Sequence, residues 1–270
     1  MKTLISTVTS LALLVATGLD AAHPVGSEED HILAMIEHPQ RLEMDLKRDE
    51  NRRPYDVLDF YNVRPGMTVL DVFSGGGYYS ELFSLAVGPQ GKVIAHNNLA
   101  YSKYVEKTLA KRYSNNRLKN VENIIQEANE LNVPANSADM AFLILAYHDI
   151  YYAPKKGSWP KIDRKLFLSH IYDALKPGGI LGIIDHQAAP GSPASTGHSL
   201  HRINVDLVIQ QVKEAGFILK ERAYFLENET DDLSKHMYAP ENRGKTSRFI
   251  LKFIKPLDLE QQIVDERTIP

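Results

Sequence analysis

From Thr68 to Ile184 the chain alternates short apolar runs with helical stretches, and that alternation constrains its fold more than any other feature. Thr68–Val72, Lys92–His96, Val121–Ile125, Met140–Ala146 and Ile180–Ile184 read as strands. Tyr78–Val87, Tyr101–Tyr113 and Lys161–Leu175 read as the helices between them. Strands separated by helices form βαβ units, whose parallel sheet must be covered on both faces. The unbroken apolar run from Met140 to Ala146 suits a central strand buried on both sides. A further helix, Asn204–Ala215, precedes a closing pair of strands, Phe217–Phe225 and Arg248–Ile254. The expected class is therefore α/β, a doubly wound, mostly parallel seven-stranded sheet. Ligands of such sheets bind at the carboxyl ends of the strands.

Two punctuation points decide more. In Val69-Leu70-Asp71-Val72-Phe73-Ser74-Gly75-Gly76-Gly77-Tyr78-Tyr79 a strand ends in Asp, a glycine turn follows and a helix begins. Glycine permits positive φ and close backbone approach to a ligand, and the helix start presents amides and partial positive charge. A glycine turn alone is equally a plain tight turn. Further on, Leu175-Lys176-Pro177-Gly178-Gly179-Ile180-Leu181 ends a helix, turns the chain and opens an apolar strand.

Together these motifs resemble the class I S-adenosylmethionine-dependent methyltransferases, a Rossmann-like fold. Asp71, Gly75 and Gly77 match the family's Asp-x-Gly-x-Gly-x-Gly, with Phe73 in place of its first glycine. Leu-Lys-Pro-Gly-Gly is matched residue for residue. Glu127-Ala128 stands where the family often has Asp-Ala against the adenine. Ser137-Ala138-Asp139-Met140 and Ala215-Gly216-Phe217 resemble the leads into later strands. The resemblance runs from about Arg53 to Pro256, and the pattern as a whole is most similar to predicted bacterial methyltransferases with an export signal. It implies S-adenosylmethionine as cofactor, held by Asp71, Phe73, Gly75, Gly77, Asn97, Glu127 and Ala128. Asn97 aligns with the acid that holds the ribose hydroxyls; a neutral amide makes a weaker bond there than a carboxylate.

Polar residues cluster just past the strand ends: Tyr147-His148-Asp149, Asp185-His186, His198 and His201-Arg202. In a doubly wound sheet these distant segments meet at one edge. Methyl transfer from a sulfonium needs an oriented acceptor and a base for its proton, and histidine beside a carboxylate suits that work. His148, Asp149, Asp185, His186 and His201 are the expected catalytic set, with one histidine as base and no metal ligand assigned. Tyr147, Tyr151, Tyr152 and Trp159 point to a small-molecule acceptor, aromatic or apolar. Two alternatives use the same residues: a metal-assisted O-methyltransferase, and a non-catalytic exported binding protein on an altered methyltransferase fold.

The remaining expectations concern organisation. Met1-Lys2-Thr3, the apolar stretch to Leu19 and Ala21-Ala22 have the order of a signal peptide, which predicts export to the periplasm. The divisions are 1–21 signal peptide, 22–53 helical and charged lead-in, 54–256 methyltransferase-like domain and 257–270 tail. Residues 41–53 are nearly all charged and read as solvated. Lys103, Lys107, Lys111 and Arg112 read as one solvated helix face. With 31 Lys+Arg against 34 Asp+Glu, net −3, no nucleic-acid partner is expected, nor any membrane beyond export. Absence of cysteine excludes disulfides, thiolate metal sites and a cysteine nucleophile.

Overall fold

The computed structural model describes residues 28–154 and 159–257. The expected leader, 1–21, and nearly all of the tail lie outside the described residues. Three helices come first: α1 (Glu28–Ile36), α2 (Glu43–Arg52) and α3 (Pro54–Tyr61). The alternation follows as β1 (Thr68–Val72), α4 (Tyr78–Val87), β2 (Lys92–Asn97), α5 (Leu99–Tyr104), α6 (Glu106–Tyr113), β3 (Val121–Ile125) and β4 (Ala138–Ile144). It continues through α7 (Arg164–Ala174), β5 (Leu175–His186), the short α8 (Thr196–Ser199), α9 (Val205–Glu214), β6 (Ile218–Ala223) and β7 (Arg248–Ile254).

The seven strands lie in the order β3-β2-β1-β4-β5-β7-β6. The first five are mutually parallel, and β7 runs antiparallel between β5 and β6. This is the doubly wound, mostly parallel seven-stranded sheet that the alternation predicted. Chain order reverses between β1 and β4, where a doubly wound sheet opens its ligand crevice.

Side chains alternate between the two faces. Leu70, Val72, Leu143, Leu181, Ile183 and Leu251 pack with α7 and α9 on one side. Val69, Met140, Phe142, Ile184 and Ile250 pack with α1, α3 and α4 on the other. Local signals set the helix starts: Asp163 caps α7 by accepting the amides of Lys165 (3.0 Å) and Leu166 (3.2 Å), and Asn204 caps α9 through the amide of Asp206 (2.8 Å). At Gly182 any side chain would collide with the Phe142 and Tyr61 rings, which come within 2.6 and 2.8 Å of the Cβ position.

Four expectations are corrected. The helix expected from Tyr101 to Tyr113 is two helices broken at Val105. β5 begins at Leu175 rather than Ile180, because Leu175 already pairs with Ala138 before Lys176–Gly179 bulges out of register. The lead-in at 41–53 is not solvated all round but on one face only: Arg41 and Asp45 are 5% and 1% exposed, while Glu43, Lys47 and Glu50 are exposed. Nor is Arg112 on a solvated face, being wholly buried. Its guanidinium pairs with Asp45 (2.6 Å) and Glu81 and bonds the carbonyl of Gly76 (2.6 Å). A charge-rich helix docks here through buried ion pairs, which a hydropathy pattern cannot show.

Candidate functional site

The loops after β1, β4 and β5 meet at the carboxyl edge of the sheet. β1 and β4 each end in a residue forced into the left-handed region, Phe73 (φ 52°) and Leu145 (φ 58°), and His201 adopts the same conformation (φ 49°). Such backbone is costly for non-glycine residues and gathers at functional sites. A cavity of about 790 Å3 opens at this edge, lined by Arg52, Tyr101, His148, His186, His201 and Arg248 among others. That volume is within the usual range for small-molecule sites. A second cleft, of about 970 Å3, opens near Lys92 at the other end of β2 and holds none of the expected site residues.

The five expected catalytic residues converge. Asp185, at the end of β5, is fully buried. It accepts the backbone amides of His148 (2.8 Å) and His186 (2.7 Å) and faces His148 Nδ1 at 2.8 Å. His148 Nε2 lies 3.5 Å from Asp149 Oδ1, and His201 Nδ1 lies 3.8 Å from the same oxygen. The His148 ring centroid is 5.2 Å from that of His201 and 5.8 Å from that of His186. His186 turns Nδ1 to Thr246 Oγ1 at 2.7 Å. Its Nε2 is buried with no hydrogen-bond partner.

These environments push the four titrating groups apart. Burial opposes charge on His148, but Asp185 and Asp149 outweigh it and raise the imidazole to about 9. Burial lifts the Asp149 carboxyl to about 6, against the pull of His148. Burial and the cationic His148 hold His201 down at about 4. Burial, His148 and nearby arginines keep His186 well below the ordinary histidine value. At neutral pH these environments favour the protonated form of His148 and the neutral forms of His186 and His201.

The expected cofactor residues form a different kind of structure. Gly75 and Gly77 have φ of 56° and 75°, and Gly77 precedes α4 with no side-chain cap on the helix. Asn97 is fully buried and braces the turn. Its Oδ1 accepts the Gly75 amide (2.9 Å), and its Nδ2 donates to Ser74 Oγ and the Gly75 carbonyl, both at 3.1 Å. Asp71 points toward α4, where it accepts the Ser80 hydroxyl (2.6 Å). Burial lifts its carboxyl to about 7 despite Ser80, Arg52 and Arg112. Phe73 is 2% exposed, its ring packed on His96, Trp159 and Phe167 with centroids 5.3–5.6 Å away. Glu127 accepts the Leu99 amide (3.4 Å), and Ala128 is buried. Between this turn and the cavity stands Tyr101, which lines the cavity and lies 3.8 Å from the Cβ position of Gly75.

A family model matches residues 44–205, that of the ubiE/COQ5 methyltransferases. The chain belongs to the ubiE/COQ5 methyltransferase family. No curated protein matches the chain. Among solved structures, it is similar to an S-adenosylmethionine-dependent methyltransferase from Aquifex aeolicus, at 22% identity and TM-score 0.54, covering 85% of this chain and all of that one. It is also similar to an S-adenosylmethionine-dependent methyltransferase from Mesorhizobium loti, at 14% identity and TM-score 0.51, covering 74% of this chain and 96% of that one. A third is phosphoethanolamine N-methyltransferase 2 of Haemonchus contortus, solved with S-adenosylmethionine, at 16% identity and TM-score 0.51, covering 77% of this chain and 52% of that one. Likenesses this remote show the shared fold.

The cofactor of this methyltransferase is S-adenosylmethionine, and the donor set on the cavity wall fits it. Arg52 and Arg248 line the cavity and form no ion pair among the described residues, Arg248 donating Nε to the Thr246 carbonyl (3.2 Å); two such guanidinium groups suit a ligand carboxylate. Arg52 lies over the Tyr78 ring, 4.5 Å from its centroid, at the start of α4. Tyr101, Tyr104, Tyr152 and Tyr238 offer ring faces suited to a sulfonium cation.

Sequence reasoning missed the two arginines. Arg248 pairs in register with His186 across β5 and β7, a neighbour relation that only strand pairing creates. Other residues near the motifs prove structural. Arg202 is fully buried, clasping Asp231 with two bonds of 2.7 Å. Tyr147 and Tyr151 send their hydroxyls inward to Gln211 (2.9 and 2.7 Å); the cavity wall is built from Tyr152 and Trp159 instead.

Proposed function

We propose that this protein transfers a methyl group from S-adenosylmethionine to a small-molecule acceptor in the 790 Å3 cavity, with His186 taking the acceptor's proton. The observation that carries this reading is the unpartnered Nε2 of His186, a neutral, buried ring nitrogen on the cavity wall. A buried polar atom without a partner is costly unless a ligand completes it. When bound, the cofactor supplies an electrophilic methyl whose bonding pair departs on sulfur.

The chain's residues do the rest. Arg52 and Arg248 would hold the cofactor's carboxylate on the cavity wall, with Tyr101 between that wall and the glycine turn. Tyr152, Trp159 and Tyr238 press an aromatic or apolar acceptor toward the histidines and keep water away. His148 is not the base, because a protonated imidazole cannot accept a proton. His186 accepts it at Nε2 when Nδ1–H donates to Thr246 Oγ1, the tautomer that leaves Nε2 free as an acceptor.

Calorimetry with S-adenosylmethionine tests binding first. Label transfer from methyl-tritiated cofactor to a panel of phenols and enols then tests chemistry. Saturable cofactor binding and labelled product are expected, with label lost in His186→Gln. Wild-type turnover in that variant overturns the base, and absence of cofactor binding overturns the reaction.

A further inference from the structure

We propose that His148, Asp149 and His201 form a site for a zinc-type first-row dication, opening on the cavity. The site goes beyond the methyl-transfer reading and does not depend on it. One ligand atom from each of the three residues lies within 4.8 Å of the others. The distances to Asp149 Oδ1 are 3.5 Å from His148 Nε2 and 3.8 Å from His201 Nδ1. Tetrahedral zinc with bonds of about 2.0–2.1 Å sets its ligands roughly 3.3 Å apart. Both separations to Asp149 lie within about 0.5 Å of that spacing, and the two imidazoles must close from within 4.8 Å of each other.

Three further features are those of a metal centre. His148 gives Nδ1 to Asp185 at 2.8 Å, and Asp185 is itself pinned by the amides of His148 and His186. A carboxylate behind a ligating histidine fixes its tautomer and aims the other nitrogen at the ion. His201 is held in left-handed backbone (φ 49°), and its neighbour Arg202 is locked to Asp231, so the ring is aimed rather than free.

Charge is the third feature. Asp149 and Asp185 are 6% and 0% exposed, and neither pairs with lysine or arginine among the described residues. Two buried carboxylates with only imidazoles and no lysine or arginine beside them are costly in a dry interior. A dication with neutral imidazoles balances both carboxylates.

The ligand set, two imidazoles and one carboxylate, suits zinc and neighbouring metals rather than magnesium or calcium. Three protein ligands leave a position open on the cavity side, as in sites where an ion meets a substrate. The buried, unpartnered Nε2 of His186 lines the same space and points independently to a ligand there.

The test uses the full chain, stripped with a chelator that is then removed, and zinc chloride alone as titrant. Calorimetry is expected to show one ion per chain, a rise in thermal midpoint, and cobalt(II) visible bands of low-coordinate form. His201→Asn keeps a residue that tolerates positive φ, so it should fold with unchanged circular dichroism yet bind zinc at least 100-fold more weakly. Asp149→Asn should behave alike. Asp185→Asn, acting through His148, should weaken binding by about 10–100-fold. Wild-type affinity no better than that of the folded His201→Asn variant overturns the site and leaves a proton-bearing cluster of ion pairs. Zinc binding without methyl transfer would sustain the site and count against the methyl-transfer reading alone.

Discussion

The glycine turn and the histidine cluster lie at one edge of one sheet, yet they are built in opposite ways. At the turn, Asn97 spends its carbonyl oxygen and amide group on the loop, Arg112 bonds the Gly76 carbonyl, and Tyr101 covers Gly75. At the cluster, His186 Nε2 has no partner, and Arg52 and Arg248 line the same cavity without an ion pair among the described residues. The loop of the turn is braced by its own neighbours, although Arg112 Nη2 and the Tyr113 hydroxyl behind Gly77 are buried without partners, whereas at the cluster the unpartnered atom, His186 Nε2, belongs to a residue that lines the cavity. Polar groups that satisfy one another stabilise a fold, and those left open mark where a ligand enters.

The largest expected effect breaks the open side. Replacing His186 by Gln should lower turnover by about 10²–10⁴-fold, the usual worth of a general base. Cofactor affinity should change little. If calorimetry instead shows affinity falling in step with turnover, the two regions are one site and the contrast fails.

Next comes the closed side. Arg112→Ala removes the cation that Asp45 and Glu81 share and leaves them to Arg48 and Arg117, so the loss should be clear yet fall short of the about 3–5 kcal/mol of a pair broken from one end. Urea denaturation should show that loss. A change below 1 kcal/mol would mean that α2 is held by something other than its ion pairs.

Two glycine variants sharpen the comparison. A Cβ at Gly77 would sit 3.0 Å from Arg112 Cδ and 3.3 Å from the Tyr113 hydroxyl, while one at Gly75 meets only Tyr101, at 3.8 Å. Both glycines have positive φ, so Gly75→Ala should cost about 1 kcal/mol from strain alone. Gly77→Val should cost about 2–4 kcal/mol, from strain plus overpacking. Each should weaken S-adenosylmethionine binding. Equal stability losses would show that the packing behind Gly77 yields freely.

The smallest effect is a pH dependence. The Asp71 carboxyl is held near 7 in the folded chain against 3.8 as its ordinary value, so the folded state binds its proton more tightly than the unfolded one. Its contribution to stability is full below about pH 4 and is lost as pH rises through 7. Asn keeps an acceptor for Ser80 and does not titrate. The stability of wild type relative to Asp71→Asn should therefore fall between pH 4 and 7, by about 1–4 kcal/mol. Parallel urea midpoints for both proteins across that range would show that folding does not raise the proton affinity of Asp71.

Much of this was legible in the residues before any contact was known. Alternating apolar runs and helical stretches determine a doubly wound sheet, because each strand and helix can bury its apolar side in few other ways. Leu-Lys-Pro-Gly-Gly and the Asp71–Gly77 turn mark the family, since backbone that must adopt positive φ leaves a record in glycine. The strand-end positions of His148, Asp149, Asp185, His186 and His201 follow from topology, which carries those ends to one edge whatever lies between. What each does was decided only by tertiary structure. That His148 is protonated and His186 neutral depends on which carboxylate stands at 2.8 Å. That Arg112 is a buried tie and Arg248 a cavity residue depends on helix docking and on the β5–β7 register. Hydropathy and motif spacing are local quantities, whereas proton affinity, ion pairing and an unpartnered nitrogen arise from atoms distant in the chain that meet only in the folded protein.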